Sequence, residues 1–124
     1  MRISLRSGAT SEHKRAISDS IHRAMVETIG VPEKDKFQVL TEYDATGLVY
    51  DPEYLGINRS DGVLFVQITL NAGRTLEKKK ELYARLAQRL AESPGTRPED
   101  VLVSLVEVTK ENWSFGNGIA QYAT

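Results

Sequence analysis

Apolar positions along the chain follow two rhythms, which alternate from the amino terminus onward. Ile3-Ser4-Leu5 is a short strand-like segment, followed by a turn over Arg6-Ser7-Gly8-Ala9. Thr10 or Ser11 then offers a hydroxyl to the unpaired N–H groups of a starting helix. Ala16, Ile17, Ile21, Ala24, Met25 and Ile29 fall at helical spacing and form one apolar stripe. Gly30 tolerates the left-handed cap that ends a helix, and Pro32 prevents its continuation. Phe37-Gln38-Val39-Leu40-Thr41 reads as a strand.

The same order returns in the second half. Val63 to Leu70 is an apolar run with few polar breaks, and Asn71-Ala72-Gly73-Arg74 makes the turn after it. Thr75 is the next cap. Leu82, Leu86 and Leu90, with Leu76, Tyr83 and Ala87, give a second helical stripe. Pro94-Gly95 stops that helix, and Val101 to Val108 is a further strand. Thr10 and Thr75, Gly30 and Gly95, and Pro32-Glu33 and Pro98-Glu99 are each offset by about 65 residues. Three such matches in order argue for an internal duplication.

A strand, a helix of about five turns and a second strand form a parallel, right-handed β-α-β crossover. Two such units predict an α/β (α+β) domain with a four-stranded mixed sheet and two helices on one face. The helices cover only that face, whereas the strand runs at 63–70 and 101–108 suit coverage on both. The second face therefore calls for a partner, and an oligomer is predicted. The whole chain, 1–124, reads as a single domain. Its first half covers 1–42, a long connection 43–62, the second half 63–108 and a tail 109–124. The connection holds three tyrosines and several aliphatics, which predicts that it packs. The tail places Asn117-Gly118 between aromatic residues, a hairpin signal.

Composition narrows the chemistry. At 124 residues, 40% hydrophobic and 27% charged, the chain has the balance of an ordinary globular domain. It contains no cysteine, which excludes disulfides and thiolate metal sites. No signal-peptide-like or membrane-spanning run occurs, so the chain reads as soluble and cytoplasmic, with no membrane partner. A net charge of −1 lacks the basic excess that nucleic-acid binding leaves, and Lys78-Lys79-Lys80 reads as a solvated helix face. An RNA-recognition arrangement would also need paired strand aromatics, and Phe65 stands alone in the strongest strand. His13 and His22 lie nine residues apart, the wrong spacing for paired metal ligands on a helix, and no metal is expected. There is no G-x-S-x-G elbow and no glycine-rich phosphate or dinucleotide fingerprint, so no cofactor is expected either. Asp51 and Glu53 read as solvated loop acids.

The duplicated unit, the segment Gly30-Val31-Pro32-Glu33-Lys34-Asp35-Lys36-Phe37-Gln38 and the tail Trp113-Ser114-Phe115-Gly116 resemble the tautomerase superfamily. The likeness is greatest to its malonate semialdehyde decarboxylase branch and runs from about Arg2 to Tyr122. It implies a homotrimer with active sites near subunit boundaries. It also implies chemistry on small keto or enol carboxylates: tautomerisation, hydration or decarboxylation. By the same resemblance Asp35 falls on an acid/base carboxylate and Arg74 on a substrate-carboxylate arginine. Trp113, Phe115 and Tyr122 fall on pocket-wall aromatics. A guanidinium at a strand-to-helix turn can fork two N–H donors onto a carboxylate. Read without the resemblance, Arg74 is a solvated turn residue, Asp35 a turn former, and Trp113 and Phe115 interface core.

Two departures from the family pattern bear on activity. The family's catalytic group is an amino-terminal proline, whereas here Met1 is followed by Arg2. Alignment of the first strand leaves Met1 two residues short, so at about 3.3 Å per residue its amine would stand roughly 6–7 Å from the proline position. General-base catalysis needs about 3 Å. A displaced start and a genuinely proline-less member, in which Met1 reshapes the pocket, both fit. The decarboxylase pattern also carries two arginines where this chain has only Arg74, which favours tautomerase-like activity over decarboxylation. A non-catalytic trimeric relative, retained for ligand binding or structure, is the alternative.

Overall fold

The computed structural model describes residues 1–123. Chain order is β1 (Arg2–Arg6), α1 (Ser11–Ile29), β2 (Val39–Tyr43), β3 (Leu64–Asn71), α2 (Leu76–Glu92) and β4 (Val101–Val108), with short 3-10 turns between and after them. The sheet runs β2-β1-β3-β4. β1 and β2 are parallel, β3 and β4 are parallel, and β1 meets β3 antiparallel. Each half is thus one β-α-β unit, and the two join through their first strands.

Both helices begin on the hydroxyl caps that the sequence marks. Thr10 Oγ1 accepts from His13 N–H at 3.0 Å, and Thr75 Oγ1 from Lys78 N–H at 3.2 Å. Gly30 closes α1 at φ 70°, where a side chain would be strained. Thr75→Ala removes an acceptor from the first turn of α2, so it should lower the unfolding free energy by about 1 kcal/mol. Thr75→Ser should recover most of that loss, and urea denaturation of the two variants measures it.

Ile17, Ile21, Ala24 and Met25 of α1 and Leu82, Leu86 and Leu90 of α2 form one buried cluster. The cluster also takes in Ile3 and Leu5 of β1 and Leu64, Val66, Ile68 and Leu70 of β3, so both helices lie on the same sheet face. The opposite face carries Phe65, with Leu102 and Val106 of β4 exposed at 40% and 39%. No described residue covers them.

Three expectations need correction. β2 starts at Val39 rather than Phe37, because β1 begins at Arg2 and its ladder reaches no further back than Arg2↔Val39. Phe37 and Gln38 are used elsewhere. The connection 43–62 is fastened only near its ends. Leu48 is buried, Tyr50 Oη donates to Asp61 at 2.7 Å, and the buried Asp100 carboxylate accepts from Ser60 N–H at 2.7 Å and Ser60 Oγ at 2.6 Å. Between those anchors Val49 and Leu55 stand 73% and 77% exposed, with no described residue packed over them. The tail forms no hairpin among the described residues. Asn117 and Gly118 do adopt the positive φ of a tight turn, 58° and 67°. The flanking chain is held by the Gln121 amide instead, which accepts from Phe115 N–H at 2.9 Å and donates to the Gly116 carbonyl at 2.8 Å. A side chain replaces the rungs of the ladder.

Candidate active site

A cavity of about 370 Å³ opens where the amino terminus, the segment after α1, the end of β3 and the tail converge. All six residues singled out in the sequence line it: Met1, Asp35, Arg74, Trp113, Phe115 and Tyr122. Met25, Val31, Ile68 and Leu70 supply apolar wall.

Asp35 rides on a turn that the first helix grips from several sides. Its own N–H donates to the Pro32 carbonyl at 3.0 Å. Arg23 forks onto Glu33, with its two N–H groups 3.2 and 2.5 Å from the carboxylate oxygens, and Lys36 donates to Asp19 at 2.8 Å. Gln38 donates to the Ser18 carbonyl at 3.1 Å and accepts from the Ser18 hydroxyl. The buried His22 ring lies 2.7 Å by Nε2 from the Glu33 carbonyl. A carbonyl only accepts, so Nε2 carries the hydrogen. Asp35, partly buried, is therefore presented by a braced segment rather than by a loose loop.

Arg74 follows Gly73, whose φ of 121° turns the chain out of β3, and precedes the α2 cap. Its guanidinium is half-buried and donates to the Asn71 carbonyl at 3.1 Å and the Ile29 carbonyl at 3.3 Å. Two of its five donors are so occupied. The other three have no protein acceptor among the described residues.

The tail's aromatic rings supply a further stretch of wall. Trp113 stacks on Phe115 with centroids 5.3 Å apart and planes 12° apart, and Tyr122 meets Phe115 edge-on at 4.8 Å. Phe37, 6.0 Å from Phe115, extends the row. Trp113 is oriented by its indole N–H, which donates to Asn71 Oδ1 at 2.8 Å.

The Met1 ammonium donates to the Phe37 carbonyl at 3.2 Å. Partial burial, followed by the charge of Arg2, pulls the amine below its ordinary value of 8.0, while Asp35 pushes the other way. A larger share of neutral amine is therefore present near neutrality than in an unfolded chain. No group of three or more His, Asp or Glu side chains that could hold a metal converges among the described residues.

His22, Phe37, Gln38 and Asn71 also belong to this wall or its support, and the sequence did not single them out as site residues. By sequence pattern His22 reads only as a candidate metal ligand, and Asn71 only as part of a turn. Their contribution depends on distant partners, Glu33 and Trp113, which no local spacing announces.

The fold and cavity together define a protein of two β-α-β repeats, with an arginine-bearing, aromatic-walled cavity fed by both halves. Two family models described as tautomerase enzyme match residues 1–58 and 35–116. A probable tautomerase of Bacillus subtilis (strain 168), YusQ, is 43% identical over 98% of this chain and 95% of its own length. Among solved structures, FG41 malonate semialdehyde decarboxylase inhibited by 3-bromopropiolate superposes with a TM-score of 0.92. It is 38% identical over 98% of this chain and 92% of that one. A fused 4-OT wild-type symmetric trimer superposes with a TM-score of 0.79 at 29% identity, over 98% of this chain and 96% of that one. The chain belongs to the tautomerase superfamily.

Proposed function

We propose that this protein is an enzyme that moves a proton on a small keto or enol carboxylate, by tautomerisation. The observation that carries this reading is the convergence of Arg74, Asp35 and the terminal amine on one largely apolar cavity. Arg74 has donors to spare for a carboxylate, and a low-dielectric wall strengthens the pairing. The Met1 amine stands about two strand residues short of the family's proline position. In its neutral form it takes a proton from the carbon beside the carbonyl of a substrate drawn toward it, at a rate that the longer reach holds down. The electron pair moves onto the carbonyl oxygen, and a proton from water completes the enol. In reverse, the resulting ammonium returns the proton to carbon. A single arginine at the turn favours this reaction over decarboxylation.

The terminal amine sets a signed prediction. The Asp35 carboxylate stabilises the ammonium, so Asp35→Asn should lower the amine pKa further. The rising limb of kcat/KM against pH should then move to lower pH, because the neutral base exists from a lower pH onward. A limb that stays in place, measured on phenylenolpyruvate, would remove both groups from the proton transfer.

The open sheet face with Phe65, Leu102 and Val106 supports a homotrimer, as in the fused 4-OT relative. Sedimentation at micromolar concentration tests this; a monomer would overturn it.

A further inference from the structure

Asn71 stands at the end of β3, in the wall of the cavity and three residues before Arg74. Its side chain is fixed by one contact, the 2.8 Å hydrogen bond from Trp113 Nε1. An indole N–H can only donate, so the atom facing it must be the amide oxygen. The amide is thereby locked in one sense, with its NH2 turned away from the tryptophan. Neither hydrogen of that NH2 has an acceptor among the described residues, and Asn71 is only half-buried. Asn71 is also tied to Arg74, whose guanidinium donates to the Asn71 backbone carbonyl at 3.1 Å. Trp113, the single tryptophan of the chain, is the donor that sets this orientation.

An oriented donor with no protein acceptor, beside an arginine with three spare donors, describes a two-point reader. From this we infer that Asn71 is a specificity-determining residue. Its amide NH2 donates to the carbonyl or enol oxygen next to the carboxylate, while Arg74 holds the carboxylate itself. The substrates favoured are 2-oxo acids and their enols over carboxylates that lack oxygen at that carbon. The assignment rests on the proposed tautomerase reading and names the substrate class of that same site. A donor at this position also faces the oxygen on which negative charge develops as the proton leaves carbon, so its contact strengthens during reaction.

The test compares two acids of one skeleton, phenylpyruvate and 3-phenylpropionate, which differ at the carbon beside the carboxylate. Binding is measured by calorimetry to the full chain and to Asn71→Ala and Asn71→Asp. The ratio of the two affinities is the readout, because it cancels changes shared by both carboxylates. Asparagine and aspartate have the same shape, and aspartate still accepts from Trp113, so that variant keeps the local packing. The parent should favour phenylpyruvate by about 10-fold or more, Asn71→Ala should bring the ratio to within about 2-fold of unity, and Asn71→Asp should bring it to unity or below. A parent ratio near one, or a ratio unchanged in the variants, overturns the assignment. A parent that binds neither acid overturns the tautomerase reading and this inference with it.

Discussion

Arg74→Ala is expected to lower kcat/KM on phenylenolpyruvate on the order of 100–1000-fold, the loss of two charge-assisted hydrogen bonds to a carboxylate. Most of the loss should appear in KM, because the carboxylate is held alike before and during proton transfer. Arg74→Lys should recover only part of it. A lysine keeps the charge but not the planar fork, and it cannot span the Asn71 and Ile29 carbonyls that hold the guanidinium in place. Those two bonds also link the end of α1 to the turn after β3, so the alanine variant should lose about 1–2 kcal/mol of stability. Urea denaturation separates that cost from the kinetic one. A folded Arg74→Ala protein with parental KM would make Arg74 a strut between the two halves and leave the carboxylate without its anchor.

Legibility in the sequence varied with the range of the interaction that fixes each feature. Thr10, Thr75 and Gly30 were readable because a cap is a local event, completed within three or four residues. The start of β2 was not, because it depends on where the partner strand begins, and residues 37 and 38 are as strand-like as those that follow. The Asn117-Gly118 turn was readable in the same local sense. The missing ladder on either side of it was not, since Gln121 supplies its bonds from outside the turn.

The site divides along the same line. Helical spacing and charge alone would have left Arg74 as a surface turn residue and Asp35 as a turn former. Resemblance to a family brought them forward, and the fold places both on one cavity wall. Asn71 carries neither signal. In Asn71-Ala72-Gly73-Arg74 an asparagine is what a turn ordinarily wants. Only the approach of Trp113, 42 residues onward, gives its amide a direction.

The terminal amine is the group whose position matters most, and the sheet register shows how to move it. β1 runs antiparallel to β3 with Arg2 opposite Gln67, which sets Met1 against Ile68. Two residues added ahead of Met1 would continue along β3 past Thr69 to Leu70, both of which line the cavity. At about 3.3 Å per residue the amine would travel roughly 6–7 Å toward the Asn71–Arg74 end. A Pro-Leu extension with a free proline nitrogen should therefore raise kcat/KM on 2-hydroxymuconate by about 100-fold or more over the chain beginning at Met1. Proline's ring also fixes the direction of its nitrogen, so less freedom is lost when substrate docks. Acetylating the amino terminus of the extended protein should abolish the gain, because an amide nitrogen is no base. If the extended protein is inert yet still binds phenylpyruvate through Arg74, the cavity serves binding alone. The non-catalytic reading then replaces the enzymatic one, since a base brought to the anion-holding end of the cavity will have failed to create turnover.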